Sequence, residues 1–370
     1  MFDTKSPAPQ KQLQQIVVQS VGRLHFGLVE IAQGEPHCFG GIGLMIEPAT
    51  AIIQATIVPN SIESNNSESL CRIDATDHWS VRIESILSHW RKTFGSTPIV
   101  TLSVVQAPQP HCGLGSGTQM ACTVALALLA AERIRNCTKN ASNLNLSIRS
   151  LLEPAAELAK DPSSDPLRER LAWLSQRGKR SNVGLSGFIE GGFIYDGGQS
   201  VSPSENEESL RTMRIPFPEL WPILIVRNDA SAGDFGERES ELFERCSMKP
   251  NPNRSTMLKL VEQDLLPSMA SQEWERFSEA LGVYGQLAGQ VFSPAQGGIY
   301  RTPRIAQAIE LTNKLGIENA TQSSWGPTVC AVARDPEHAN WCVERLQSEL
   351  PNASIHVTRA ANRPAQVTLT

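Results

Sequence analysis

Apolar and β-branched residues dominate short, glycine-broken segments through the first hundred positions. QQIVVQSVGRLHFGLVEI (14–31), GIGLMI (41–46), TAIIQATIV (50–58) and PIVTLSVVQAP (98–108) all read as strands. The pattern then changes. From Ser116 to Asn136 a nearly unbroken apolar run, SGTQMACTVALALLAAERIRN, predicts a buried helix. LSIRSLLEPAAELAK (146–160) predicts a further helix, and GLSGFIEGGFIYDGG (184–198) a pair of strands with glycine turns. A strand at WPILIVRN (221–228), helices around 255–292 and 304–315, and strands at GPTVCAVARD (326–335) and ASIHVTRA (353–360) complete the second half. Strand-rich and helical segments joined by short connections predict an α+β layered fold.

A chain of 370 residues, 40% hydrophobic and 19% charged, has enough apolar surface for two domains. The acidic stretch VSPSENEESLRT (201–212) is the natural linker. It divides the chain into a disordered tail at 1–12, a first domain at 13–204 and a second at 205–370. The net charge of −5, with no basic stripe, excludes a nucleic-acid binder. There is neither a leader-like start nor an apolar run near the roughly 20 residues needed to span a bilayer, so a cytoplasmic, membrane-free protein is expected. Eight dispersed cysteines without a C-x-x-C pair read as reduced, buried thiols.

Four stretches carry candidate chemistry. GRLHFGL (22–28) sets Arg23 and His25 on one face of a strand, with Leu24 and Phe26 on the other. GLGSGT (113–118) opens the apolar helix, so Gly113, Gly115, Ser116, Gly117 and Thr118 offer unpaired amides and the positive end of a helix dipole to an anion. Ser116 is the expected N-cap. No lysine follows the last glycine, which separates it from the GxxxxGK[ST] loop. RGKRSNVG (177–184) gathers Arg177, Lys179 and Arg180, either as a solvated charge run or as a phosphate or carboxylate clamp. SSWGPTV (323–329) places Ser323, Trp325 and Gly326 in a turn that either faces a ligand or is purely structural.

Taken in order, these stretches resemble the GHMP kinase superfamily of galactokinase, homoserine kinase and mevalonate kinase. PHCGLGSGTQ is similar to its phosphate loop, and SSWGPTVCAV to its late glycine-proline turn. The resemblance implies a first domain like domain 2 of ribosomal protein S5 and a ferredoxin-like second domain. The position of the kinase aspartate, however, falls on Gly184. A narrower branch accommodates this departure. GRLHFGL, GGIGLMI, GLGSGTQ, RGKRSNVGLSGFIEGGFIYDGG, FPELW, GERE and SSWGPTV resemble the β-ribofuranosylaminobenzene 5′-phosphate synthases of methanopterin biosynthesis.

That branch implies a glycosyltransferase that passes the phosphoribosyl group of phosphoribosyl diphosphate to 4-hydroxybenzoate or 4-aminobenzoate, releasing CO2 and diphosphate. The glycine loop would hold the diphosphate, with Mg2+ through ligands the sequence does not assign. Arg177, Lys179 and Arg180 would hold the 5′-phosphate, and Arg23 and His25 would position the aromatic acid. Glu237 would bind the metal or stabilise the sugar cation, and a homodimer is expected. The competing readings are an ATP-dependent small-molecule kinase with its base elsewhere and a non-catalytic ligand-binding relative.

Overall fold

The computed structural model describes residues 14–31, 37–57, 71–136, 146–153, 165–200, 212–228, 236–246 and 250–370. The expected tail at 1–12 and nearly all of the linker at 201–212 lie outside them. The first strand, Gln15–Leu28, pairs antiparallel with Gly41–Ile57 along its whole length. GIGLMI and the described part of TAIIQATIV, up to Ile57, expected as separate strands, are thus one strand. Val100–Gln106 follows antiparallel on the far side, and Cys71–Asp74 closes that edge in parallel. Phe193–Asp196 pairs with the Gly41–Leu44 end and in turn with Met213–Ile215.

The last strand, Gln366–Leu369, returns to pair with Ile16–Gln19. The sequence boundary at 204/205 therefore assigns two strands to the wrong side. Met213–Ile215 and Gln366–Leu369 both belong to the first sheet, where the returning chain covers hydrogen-bonding groups that an edge strand would leave open. The second sheet is a four-stranded antiparallel layer built from Thr321–Gln322, Val329–Val332, Ile223–Arg227 and Ser354–Thr358, in that order. Mixed sheets and helices give the α+β class expected.

The predicted loop helix spans Ser116–Arg135, and from Gln119 to Ala131 every residue is buried. A helix apolar all round needs cover on every side. The first sheet and the helices Asp77–Phe94, Pro166–Ser175 and Val183–Glu190 supply it. The helix Asp77–Phe94 has no counterpart in the sequence reading, although Trp79, Ile83, Ile86, Leu87 and Trp90 fall at helical spacing and are all buried. Its far face brings two further residues to the site.

The expected strand pair at 184–198 is a correction. Val183–Glu190 is a helix, and only Phe193–Asp196 is a strand. Each glycine inside a helix costs about 1 kcal/mol relative to alanine, so Gly184 and Gly187 argue locally against one. Packing overrides that cost. A Cβ on Gly187 would lie 2.3 Å from Met45 Sδ, so only glycine lets the helix press onto the sheet. Six cysteines, Cys71, Cys112, Cys122, Cys246, Cys330 and Cys342, are free and buried, in line with the expected thiols.

Candidate active site

The glycine loop lies at the floor of a cavity of about 460 Å³ between the first sheet, the loop helix and the second half of the chain. Gly115 occupies the N-cap with φ 70°, a left-handed conformation suited to glycine, and Ser116 is the first helical residue. This corrects the expected N-cap. With no side chain capping the helix, its first amides remain available to a ligand.

Neighbouring strands fix the loop. Arg23 N donates to Leu114 O (3.0 Å), Ser323 Oγ to Gly113 O (2.7 Å) and Thr328 Oγ1 to Cys112 O (2.5 Å). A Cβ on Gly326 would sit 2.3 Å from Gly113 Cα, so the late turn and the loop pack backbone to backbone. Ser323 is fully buried and also accepts from His25 N (3.1 Å). It fastens the loop to the first strand and does not line the cavity, which removes it from the expected ligand contacts. Gly326 and Trp325 do line it.

Alternation along the first strand holds as predicted. Leu24 and Phe26 are buried in the core, Arg23 and the buried His25 line the cavity, and Phe26 reaches its wall as well. Their roles then diverge. Arg23 lies against the loop: a Cβ on Gly115 would be 2.9 Å from its Nε, and one on Gly184 3.1 Å from its Nη1. Around His25, Gly27 N donates to Nδ1 (3.2 Å), which puts the ring proton on Nε2, where it donates to Ser181 Oγ (3.3 Å). Ser181 in turn donates to Asp196 Oδ2 (3.3 Å) and accepts from Val183 N (3.2 Å).

Asp196 is buried and also receives Asn182 N (2.6 Å), Gly198 N (3.2 Å) and Thr212 Oγ1 (3.4 Å). Burial nonetheless raises its carboxyl pKa. Burial, and secondarily Arg23, push the His25 imidazole down to about 3. With both nitrogens engaged and the ring neutral, His25 is placed to fix the Ser181 turn and not to exchange protons with a ligand.

The basic cluster divides. Arg177 turns to the loop, where its Nε and Nη2 donate to Thr118 Oγ1 (3.3 Å each). Arg180 lies over the Phe243 ring, 3.9 Å from its centroid. Lys179 is exposed at the rim. The structure adds His78, Arg82 and His111, none of which the sequence had singled out. A Cβ on Gly117 would be 3.2 Å from Arg82 Nη2 and 3.5 Å from Arg177 Nη2, so two guanidinium groups flank the loop. The rings of His78 and His111 meet edge to face at 5.6 Å. Burial, then His78 and Arg82, lower the pKa of His111. A helical period read from Trp79 to Trp90 would have put His78 and Arg82 one turn apart on one face.

Five cationic side chains (Arg23, Arg82, Arg177, Lys179 and Arg180) and three imidazoles line the cavity, and its described lining includes no carboxylate. Such a field suits a polyanion. Among the described residues the loop offers a cation the Ser116 and Thr118 hydroxyls, and no cluster of three or more metal-ligating side chains is found there. Glu237 falls in the helix Gly236–Cys246, but its side chain lies outside the described residues.

This architecture is the GHMP-kinase fold. Residues 265–352 match the family described as GHMP kinases C terminal. Mevalonate diphosphate decarboxylase from Staphylococcus aureus superposes with a TM-score of 0.60 at 11% identity, over 97% of this chain and 99% of that one. Within the fold, the chain is similar to the β-ribofuranosylphenol 5′-phosphate synthases. It is 23% identical over 329 residues to that of Methanothermobacter thermautotrophicus, covering 86% of this chain and 88% of the relative. It is 24% identical over 327 residues to that of Archaeoglobus fulgidus, covering 85% and 87%. No helix among the described residues is long and apolar enough to cross a membrane.

Proposed function

We propose that the protein is a β-ribofuranosylphenol 5′-phosphate synthase, an enzyme of tetrahydromethanopterin biosynthesis. It transfers the phosphoribosyl group of phosphoribosyl diphosphate to the carboxyl-bearing carbon of 4-hydroxybenzoate or 4-aminobenzoate. The observation that carries this reading is Gly184: at the position where the resemblance to the kinases implies their aspartate base, this chain has no side chain, and Arg23 Nη1 lies 3.1 Å from where a Cβ would stand. A phosphate acceptor hydroxyl needs such a base, whereas this reaction needs none.

As the bond from the sugar C1 to diphosphate breaks, the ring carbon supplies the electron pair for the new C–C bond. The pair from the C–CO2 bond then restores the aromatic ring. What the site must supply is stabilisation of the departing polyanion and alignment of two reactants. The loop amides, Arg82 and Arg177 meet the diphosphate, and Arg23 bridges the loop to the reacting centre. Arg180 is assigned to the 5′-phosphate, and Lys179, exposed at the rim, adds only a screened charge beside it.

Mg2+ belongs to this reading as an ion carried in by the diphosphate oxygens, since the described residues offer it no carboxylate. No step is assigned to it. A cytoplasmic homodimer completes the proposal. The test is purified protein with phosphoribosyl diphosphate, Mg2+ and carboxyl-labelled 4-hydroxybenzoate. Labelled CO2 should appear in step with diphosphate. ADP formation from ATP, with no CO2, would instead make the protein a kinase.

A further inference from the structure

Two imidazoles stand in the cavity wall that the reaction above leaves without a task. His78 lies in the first turn of the helix Asp77–Phe94, one turn before Arg82, and its ring meets Trp79 edge to face at 4.8 Å and His111 at 5.6 Å. His111 is two residues ahead of Gly113. Its φ of 56° is a left-handed conformation that residues with a side chain seldom adopt, although histidine tolerates it better than most. The turn into the loop thus carries an imidazole in the cavity wall where glycine would suit the backbone better. Arg82, whose Nη2 stands 3.2 Å from where a Cβ on Gly117 would be, is close enough to His111 to act on its charge.

Fixed positive charge is already crowded here. Arg23, Arg82, Arg177, Lys179 and Arg180 line the cavity, and Asp77, beside His78 in sequence, is not part of its described lining. In the empty site burial, then His78 and Arg82, hold the His111 pKa below the ordinary imidazole value. A polyanion on the loop offsets the neighbouring cations and favours the charged ring. An imidazole can therefore gain its charge as the ligand arrives and give it up as the ligand leaves, which a guanidinium cannot do. The other described groups of the lining do not respond in this way. Arginine and lysine keep their charge between pH 5 and 8. Burial and Arg23 hold the His25 ring at about 3, and burial raises the pKa of the Tyr300 hydroxyl.

We propose that His78 and His111 are a proton-linked part of the anion site: as a diphosphate group settles on the loop, the pair takes one proton from solvent, and returns it when the anion leaves. The proposal rests on the synthase reading above for the identity of the anion, and deepens it by making the hold on diphosphate depend on pH. Linkage sets the size of the effect. The factor by which the anion raises the proton affinity of the pair is the factor by which protonation raises the affinity for the anion. The site holds its anion more tightly on the acid side of neutrality and releases it more readily on the alkaline side.

The test reads both sides of that linkage without turnover. Labelling histidine at Cε1 gives a ring signal for each of the seven histidines, and His78→Gln and His111→Gln identify two of them. Saturating inorganic diphosphate, without added metal, is expected to raise the titration midpoint of the His111 signal by at least about one pH unit. Sulfate, whose charge is constant from pH 5 to 8, is the second probe. By calorimetry the native protein is expected to bind it about tenfold more tightly at pH 5.5 than at pH 8, and the protein carrying both substitutions about equally at the two. A midpoint that diphosphate leaves unmoved, a flat native series, or a double variant that keeps the slope overturns the proposal. If a variant does not fold, the native sulfate series decides, because no other described group lining the cavity titrates in this range. The labelled-CO2 assay is read separately. CO2 release with a flat series removes the proton-linked pair and leaves the reaction, and a sloping series without CO2 release leaves the pair and removes the reaction.

Discussion

Arg23 and Gly184 share one space. A Cβ on Gly184 would lie 3.1 Å from Arg23 Nη1 and 2.9 Å from Thr118 Cγ2, so the guanidinium occupies the ground that a larger residue would need. The first strand and the helix Val183–Glu190 meet there because the helix presents glycine at that position. We predict that Gly184→Asp does not create phosphoryl transfer from ATP. The new carboxylate pairs with Arg23 and repels the phosphates, and KM for phosphoribosyl diphosphate rises at least about tenfold. ADP formation by this variant would contradict the expectation.

The split of the basic cluster ranks its members. Arg82 and Arg177 flank Gly117 and are half-buried, so each charge-assisted contact to a phosphate is worth roughly 1.5 to 3 kcal/mol. Arg82→Ala and Arg177→Ala should each raise KM for phosphoribosyl diphosphate about tenfold or more. Lys179→Ala, at an exposed rim position where solvent screens the charge, should change it less than about threefold. Steady-state kinetics at two salt concentrations checks the order, and an equal effect for all three would undo it.

Gly115→Val combines a β-branched side chain with φ 70° and a Cβ 2.9 Å from Arg23 Nε. Both the loop conformation and the Arg23 position should be lost. The expected outcome is no measurable binding of phosphoribosyl diphosphate by calorimetry, together with a lowered melting temperature. Native affinity would take the loop out of the site.

The depressed pKa of His25 has a sign that can be checked. Its folded value, about 3, lies below the ordinary value of 6.5, so between these the unfolded chain binds more protons and stability rises with pH. The contribution is fully present above about 6.5 and is lost as pH falls toward 3. In urea titrations at pH 7.5 and 5, His25→Gln should lose less stability on acidification than the native protein. In kcat/KM profiles the native protein should show no break from this residue between pH 5 and 8. A break that His25→Gln abolishes would make it a proton donor or acceptor.

Local pattern made much of this molecule legible. Alternation placed Leu24 inward and Arg23 and His25 toward the cavity, and a nearly unbroken apolar run as far as Ala131 marked the buried loop helix. The glycine loop and the late turn were recognisable because both need small residues where two backbones touch, as Gly113 and Gly326 do. Tertiary structure decided the rest. Helix Val183–Glu190 forms against the propensity of its glycines because a close-packed neighbour, Met45, favours it. Arg82 and His78 join the site from a helix whose sequence lies about thirty residues ahead of the loop, and local periodicity carries no information about which distant surface that helix faces. Lys179 and Arg180 are neighbours in sequence yet one is exposed at the rim and the other lies over Phe243, because a turn sends consecutive side chains to different surroundings. The sequence alone determined which residue types were present to bind a polyanion. Only the packing of one element on another decided which of them surround the loop, and that His25 is held neutral.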